Sequence, residues 1–346
     1  MSDLQIGLAV AGGFVLAAFV AHGAWTTRKN TPKQATLEDV EPGMVDAGGD
    51  TVPLVVTADT PAFNLPAAPK RPLLDSLIDV IASITLDTSV HAVSGEAAWA
   101  AMPVTRRAGN KPFAIEGFNQ VGRVWEVPSP GQRYIAFQAG VQLANRSGAL
   151  NEIEYSEFVV KTQAFADAVN GSPEFPEMLE EVARARELDQ FASAHDAQLS
   201  FTIRARNASW SPGYIHQNAA KLGFVAGAIP GRLVLPASEE GLPPMLVLSF
   251  DSQAALAEDP AQSAIRRFAL HLDVAQVGRS EQAFERMRSC AMAMAQAMEG
   301  LITDDNGQAL AVQSMDVIGA ELQGLYDILE QRDLAAGSAL ARRLFS

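Results

Sequence analysis

The residues able to do chemistry are scattered along the chain. Nucleophilic catalysis needs a hydroxyl or thiol beside a base, acid–base work a carboxylate pair on a cleft, and phosphate chemistry a glycine-rich loop. Neither GxxxxGK[ST] nor GxGxxG occurs. The one cysteine, Cys290, falls among methionines and alanines on the buried side of a helical pattern, with Arg286 and Arg288 on other faces, so its thiol reads as inert core. A lone cysteine also excludes an intrachain disulfide and a cysteine-rich metal site, and fits a reducing compartment. The five histidines are dispersed. Asp304, Asp305 and Gly307 imitate a calcium loop, but the glycine is misplaced and position 315 is Met where a bidentate Glu is needed. Binding is therefore the expected activity, with no cofactor, no metal and no catalytic residue; a membrane-bound enzyme would need a buried polar constellation that the strand patterns do not supply.

Charge narrows the partners. With 26 Lys+Arg against 40 Asp+Glu the net charge is -14, which argues against nucleic acid, because tracking phosphates needs an excess of positive charge. An acidic partner needs a local basic patch. One is available in the second half of the chain, where Leu199, Phe201, Ile203 and Ala205 alternate with Ser200, Thr202, Arg204 and Arg206, the period of two of a strand with one buried face.

The elements that position this strand follow it. Ser211-Pro212 supplies a hydroxyl cap and a first-turn proline for a helix with Ile215, Ala219 and Leu222 on its apolar face and Gly223 at its end. Residues 224–235, 245–250 and 268–274 are the next strands. Ser280 is placed to cap a helix carrying Phe284, Met287, Ala291, Met294 and Met298, a methionine stripe that reads as core, with Gly300 just past its end. Residues 301–310 read as a hairpin turning on Asn306-Gly307, and a last helix carries Ile318, Leu322, Leu325 and Leu329. The order is β-α-β-β-β-α-β-β-α. The outward strand positions are Thr202, Arg204, Arg206, Arg232, Val234, Met245, Val247, Ala269, His271 and Asp273.

The other end of the chain has a different character. Residues 4–25 carry no formal charge and, as a helix rising about 1.5 Å per residue, just span a hydrocarbon core of about 30 Å. Only Asp3 precedes them, so they lack the basic start of a cleaved signal peptide. Arg28, Lys29 and Lys33 follow at once, so the positive-inside rule puts residues 1–3 outside and everything after residue 25 in the cytoplasm. Ala9, Gly13, Ala17 and Ala21 form a small-residue stripe suited to self-association of such a helix. Residues 26–71, with six prolines and only the short apolar run 52–56, read as a flexible tether whose ends would lie roughly 40 Å apart as a coil.

The assembled pattern resembles the C-terminal domain of the ZipA family, membrane-anchored bacterial division proteins that bind the tail of the tubulin-like protein FtsZ. The matching pieces are Leu222-Gly223-Phe224, the strand 245–250 after Pro243-Pro244, the strand 268–274, the helix ending Met298-Glu299-Gly300, and Leu301-Ile302-Thr303-Asp304-Asp305 before the last helix. The resemblance covers residues 197–330, leaving 331–346 as a tail. It implies an α+β fold, an antiparallel sheet with helices on one face and a shallow groove on the other. It also implies a scaffold at the division site of the inner membrane, holding FtsZ by its C-terminal tail. The outward positions named above, through His271, would then line the groove. Two features depart from the family. The groove has an arginine edge where the family's is largely apolar, which suits another acidic peptide as an alternative partner. And residues 72–196 are also patterned as a folded α+β region: a strand over 78–86, a short helix opened by Ser94, strands at 111–118 and 135–143, then helices carrying Phe158, Thr162, Phe165 and Val169, and Phe175, Met178, Leu179 and Val182. A degenerate second copy of the fold and an elaboration packed on the first are both open readings.

Overall fold

The computed structural model describes residue 33 and residues 73–257 and 263–346. The apolar segment 4–25 with its Ala9, Gly13, Ala17 and Ala21 stripe, the three residues before it, and the tether apart from Lys33 lie outside the described residues. No helix among the described residues is long and apolar enough to cross a membrane. The chain divides into two units, one holding residues 73–194 together with Arg343–Ser346, the other Lys33 and His195–Arg342.

The first unit runs β1 (Asp79–Leu86), β2 (Val93–Ser94), α1 (Gly95–Ala100), β3 (Arg107–Ala108), β4 (Lys111–Asn119), β5 (Trp125–Glu126), β6 (Arg133–Gln142), β7 (Ala144–Asn145), β8 (Gly148–Ala149), α2 (Glu152–Ala168), β9 (Gly171–Glu174) and α3 (Met178–His195). Its sheet has the order β3-β4-β6-β1-β9, with β2 beside β6, β5 beside β4 and every pairing antiparallel. Alternation decides the faces: Val80, Ala82 and Ile84 are buried toward the helices, while Ser83 and Thr85 are exposed. Phe113 of β4 meets Phe158 of α2 at 6.0 Å between ring centroids, and Phe137 of β6 meets Phe165 at 5.2 Å, fixing α2 on that face. Asn151 and Glu154 form a reciprocal capping box that starts α2. The sequence pattern merged Phe175 into a helix. Pro173 and Pro176 prevent this, and residues 171–174 form instead a short edge strand, where a proline needs no ladder partner.

The second unit runs β10 (Gln198–Ala205), α4 (Pro212–Ala220), β11 (Val225–Ala226), β12 (Arg232–Leu235), β13 (Leu246–Ser249), α5 (Ser252–Ala255), β14 (Arg267–Asp273), α6 (Ala283–Ala297), β15 (Gly300–Thr303), α7 (Val312–Gln331) and α8 (Ala339–Leu344), whose last two residues belong to the first unit. The sheet order is β11-β12-β13-β14-β10-β15. Phe201, Ile203, Leu248, Phe268 and Leu270 from the strands pack with Ile215 of α4, Met287 and Met294 of α6 and Leu322 of α7 in one core. Each such fully buried side chain stabilises the fold by about 1.5–3 kcal/mol. The methionine stripe and Cys290 are core, and burial pushes the Cys290 thiol up, away from the reactive thiolate.

Four local expectations change. Residues 224–235 are two short strands, because Gly231 takes φ +77 at a turn pressed against the carbonyl of Phe250. Ser280 does not cap α6: it lies in a 3-10 turn, and the helix starts after Gln282 in the left-handed conformation. The second arm of the 301–310 hairpin is reduced to the bridge between Thr303 and Ala309. Finally, Lys33, expected in a free tether, pairs in parallel with Trp210. Its N–H donates to the carbonyl of Ser209 at 2.7 Å, its carbonyl accepts from Ser211 at 3.0 Å, and its Nζ lies 3.0 Å from Glu299.

The two sheets share one plan. Strand orders β3-β4-β6-β1-β9 and β12-β13-β14-β10-β15 correspond position by position, and α1, α2 and α3 fall where α4, α6 and α7 do. The registers agree as well. Ile84 faces Phe137 and Pro173 as Ile203 faces Phe268 and Ile302. At the junction from the long helix to the edge strand, Asn170 (φ 52) and Glu299 (φ 54) both turn left-handed ahead of a glycine. A Cβ on Gly171 would lie 2.9 Å from Ile84, and one on Gly300 2.7 Å from Ile203. Those glycines let the edge strand approach the sheet closely.

Candidate functional site

In the second unit the helices cover one face of the sheet, and the outward residues of β10, β12, β13 and β14 form a trough on the other. Two adjoining depressions of about 750 and 940 Å³ share Ser200, Ser249, Phe250, His271 and Asp305. Arg232, Pro243, Pro244, Met245 and Val247 border the first, and Thr202, Arg204, Arg267 and Ala269 the second. Most positions selected by alternation therefore do lie together. Val234 shares the face but borders neither depression. Arg206 lies elsewhere: the chain has already left β10, and its side chain lines a separate depression with Asn207, Gln296 and Glu299.

His271 sits where the depressions meet, opposite Ser200 on β10 and Val247 on β13, with its Nε2 2.7 Å from the hydroxyl of Ser249. Burial lowers its pKa below the ordinary histidine value. The positive Arg232 lowers it further and Asp305 pulls it back up, so at neutral pH the ring is uncharged. Around this neutral centre the charge is arranged unusually. Arg204 and Arg267 are direct cross-strand partners, a like-charge pairing that a sheet ordinarily avoids. Neither they nor Arg232 has an ion-pair partner among the described residues. The rim also carries Asp251, Asp273 and Asp305.

Arg267, Ser200, Ser249 and Phe250 were missed as members of the site. For Arg267 the signal was present: the strand begins one residue earlier than its first apolar position, and the same alternation that selects Ala269 and His271 then selects position 267. Asp305 reaches the trough through the hairpin turn, which no strand pattern reports.

Among the described residues there is no group of three or more His, Cys, Asp or Glu able to hold a metal. The trough has instead unpaired donors on an open sheet surface, suited to an extended peptide whose side chains fall into alternate depressions. The fold defines the class, an α+β domain with helices on one face of an antiparallel sheet. Residues 253–321, from α5 through β14, α6 and β15 into α7, match the family described as ZipA, C-terminal FtsZ-binding domain. Over that stretch the chain is similar to the ZipA family domain that the resemblance pointed to. The match takes in Arg267, Ala269 and His271 of the trough; β10, β12 and β13 lie before it. No curated protein matches the chain at a significant level.

Proposed function

We propose that the chain is a membrane-anchored cell-division scaffold that binds the C-terminal tail of FtsZ in the trough of its second unit. The observation carrying this is the open, arginine-bordered sheet face on a domain of the ZipA family. Residues 4–25 are the proposed inner-membrane anchor, with the two folded units on the cytoplasmic side. The chain then acts by concentrating a partner at the bilayer, with no catalytic step and no cofactor. The shared plan of the two units supports reading the first as a degenerate copy of the second. The arginines favour one further reading, in which the trough takes an acidic peptide from another cytoplasmic partner.

Titration of the full-length chain in detergent with a peptide of the FtsZ C-terminal tail tests this. The expected dissociation constant is on the order of tens of micromolar or tighter, weakened about tenfold in Arg204→Ala, Arg232→Ala. No binding at millimolar peptide overturns the FtsZ reading. Binding that ignores both arginines overturns their role in it.

A further inference from the structure

The face of the first sheet that corresponds to the trough is covered at one end. Its outward positions are Asp79, Ile81 and Ser83 on β1 and Gln138, Gly140 and Gln142 on β6, matching Gln198, Ser200, Thr202, Ala269, His271 and Asp273 of the second unit. At the end of this face lie the last residues of the chain, Arg343–Ser346, which belong to this unit. The guanidinium of Arg343 takes both oxygens of Asp79, one at 3.0 Å, and also donates to the carbonyl of Leu73. Asp79 is fully buried, and its carboxylate is held further by the N–H of Asp75 at 2.9 Å. The backbone of the tail is read too: Gln142 Nε2 donates to the Arg343 carbonyl at 2.8 Å, and Arg146 N–H to the Ser346 carbonyl at 3.2 Å. Leu344 and Phe345 are both buried.

A charged anchor in a bidentate pair and main-chain hydrogen bonds are the marks of peptide recognition. We infer that the Asp79–Gln142 end of this face is a binding site for a basic peptide, and that its resident ligand is the chain's own Arg343–Ser346. Asp79 selects arginine, since a lysine offers a point charge where the carboxylate is arranged for a planar fork. The buried Oε1 of Gln142 has no hydrogen-bond partner, which leaves one acceptor at the site for a donor on a tighter ligand.

The test uses the full-length chain and a chain ending at Arg342, each titrated with a labelled synthetic peptide of residues 339–346. The peptide should bind the shortened chain and bind the intact chain at least tenfold more weakly, because there the site is filled. Arg343→Ala in the peptide, or Asp79→Asn in the shortened chain, should cost at least tenfold. Equal binding to both chains, indifference to Arg343→Ala, or no binding overturns the inference. Should the shortened chain lose its cooperative melting transition, the peptide must restore it, and failure to restore it overturns the inference equally.

Discussion

Two sheets of one plan present opposite surfaces. In the second unit the centre of the outward face is His271, and among the described residues the face stays open; in the first the corresponding residue is Gly140, and Leu74 lies directly on it. The charges are opposite as well. The open face carries Arg204, Arg232 and Arg267 without ion-pair partners among the described residues, whereas the filled face carries the carboxylates Asp79 and Glu116, both buried and both engaged. Glu116 accepts from the N–H of Leu73 and, at 2.8 Å, from Gln138 Nε2. The shared register sets which positions point outward. Side chain identity at a handful of them then decides whether the face is open or covered.

The strongest way to break the contrast is to empty the filled face. Replacing Arg343 by Ala leaves the buried Asp79 charge unpaired, which should destabilise the first unit by about 3–5 kcal/mol. The effect depends on pH in a definite direction. Burial already raises the Asp79 pKa above the ordinary value, outweighing the pull of Arg343, and removing Arg343 raises it further. The penalty falls on the charged carboxylate, so it is largest at neutral pH and shrinks as pH falls and Asp79 takes up its proton in the folded state. Denaturant melts of wild type and Arg343→Ala across that range check this. A stability loss that is constant with pH removes Asp79 from the account.

A smaller effect tests the central position of each face. A Cβ on Gly140 would lie 2.5 Å from Leu74 Cδ2 and 3.1 Å from the carbonyl of Val80, so Gly140→Ala should cost about 1–3 kcal/mol through overpacking. The counterpart on the open face, His271→Ala, removes a partly exposed ring that no segment among the described residues covers. It should change stability by no more than about 0.5 kcal/mol. Similar losses at both positions would mean that the faces are equally covered, and the comparison fails.

Most of this contrast was not legible in the sequence, for identifiable reasons. Period-two alternation chose the outward residues of β10 and β14 correctly, because one face of each strand is buried in a continuous apolar core. It failed at Arg206, where the chain leaves the strand while the parity continues. It could not find Lys33 beside Trp210, a pairing of two positions far apart in sequence with no hydrophobic signature at Lys33. The tail was equally hidden: Arg343 and Asp79 are ordinary surface residues by type, and only the fold makes them a buried pair. The correspondence between the units was undecidable for the same reason. It rests on register and on the turns at Asn170 and Glu299, while the side chains at matched positions, such as Thr162 and Ala291 or Gly140 and His271, have diverged.

The smallest expected effect concerns the open face alone. Because the folded-state pKa of His271 is depressed, the unfolded chain holds that proton more readily in the window just below the ordinary histidine value, and stability declines slightly as pH falls through it. Binding has the opposite slope. An acidic peptide laid beside His271 favours the charged ring, so protonation and binding are coupled, and affinity should tighten a few-fold between about pH 7.5 and 5.5. His271→Gln should flatten this dependence while leaving the affinity at the upper pH nearly unchanged. A peptide that binds with the same pH slope to both proteins does not sit at the centre of the trough, and the arginine rim would then have to hold it from the side of Arg204 and Arg267.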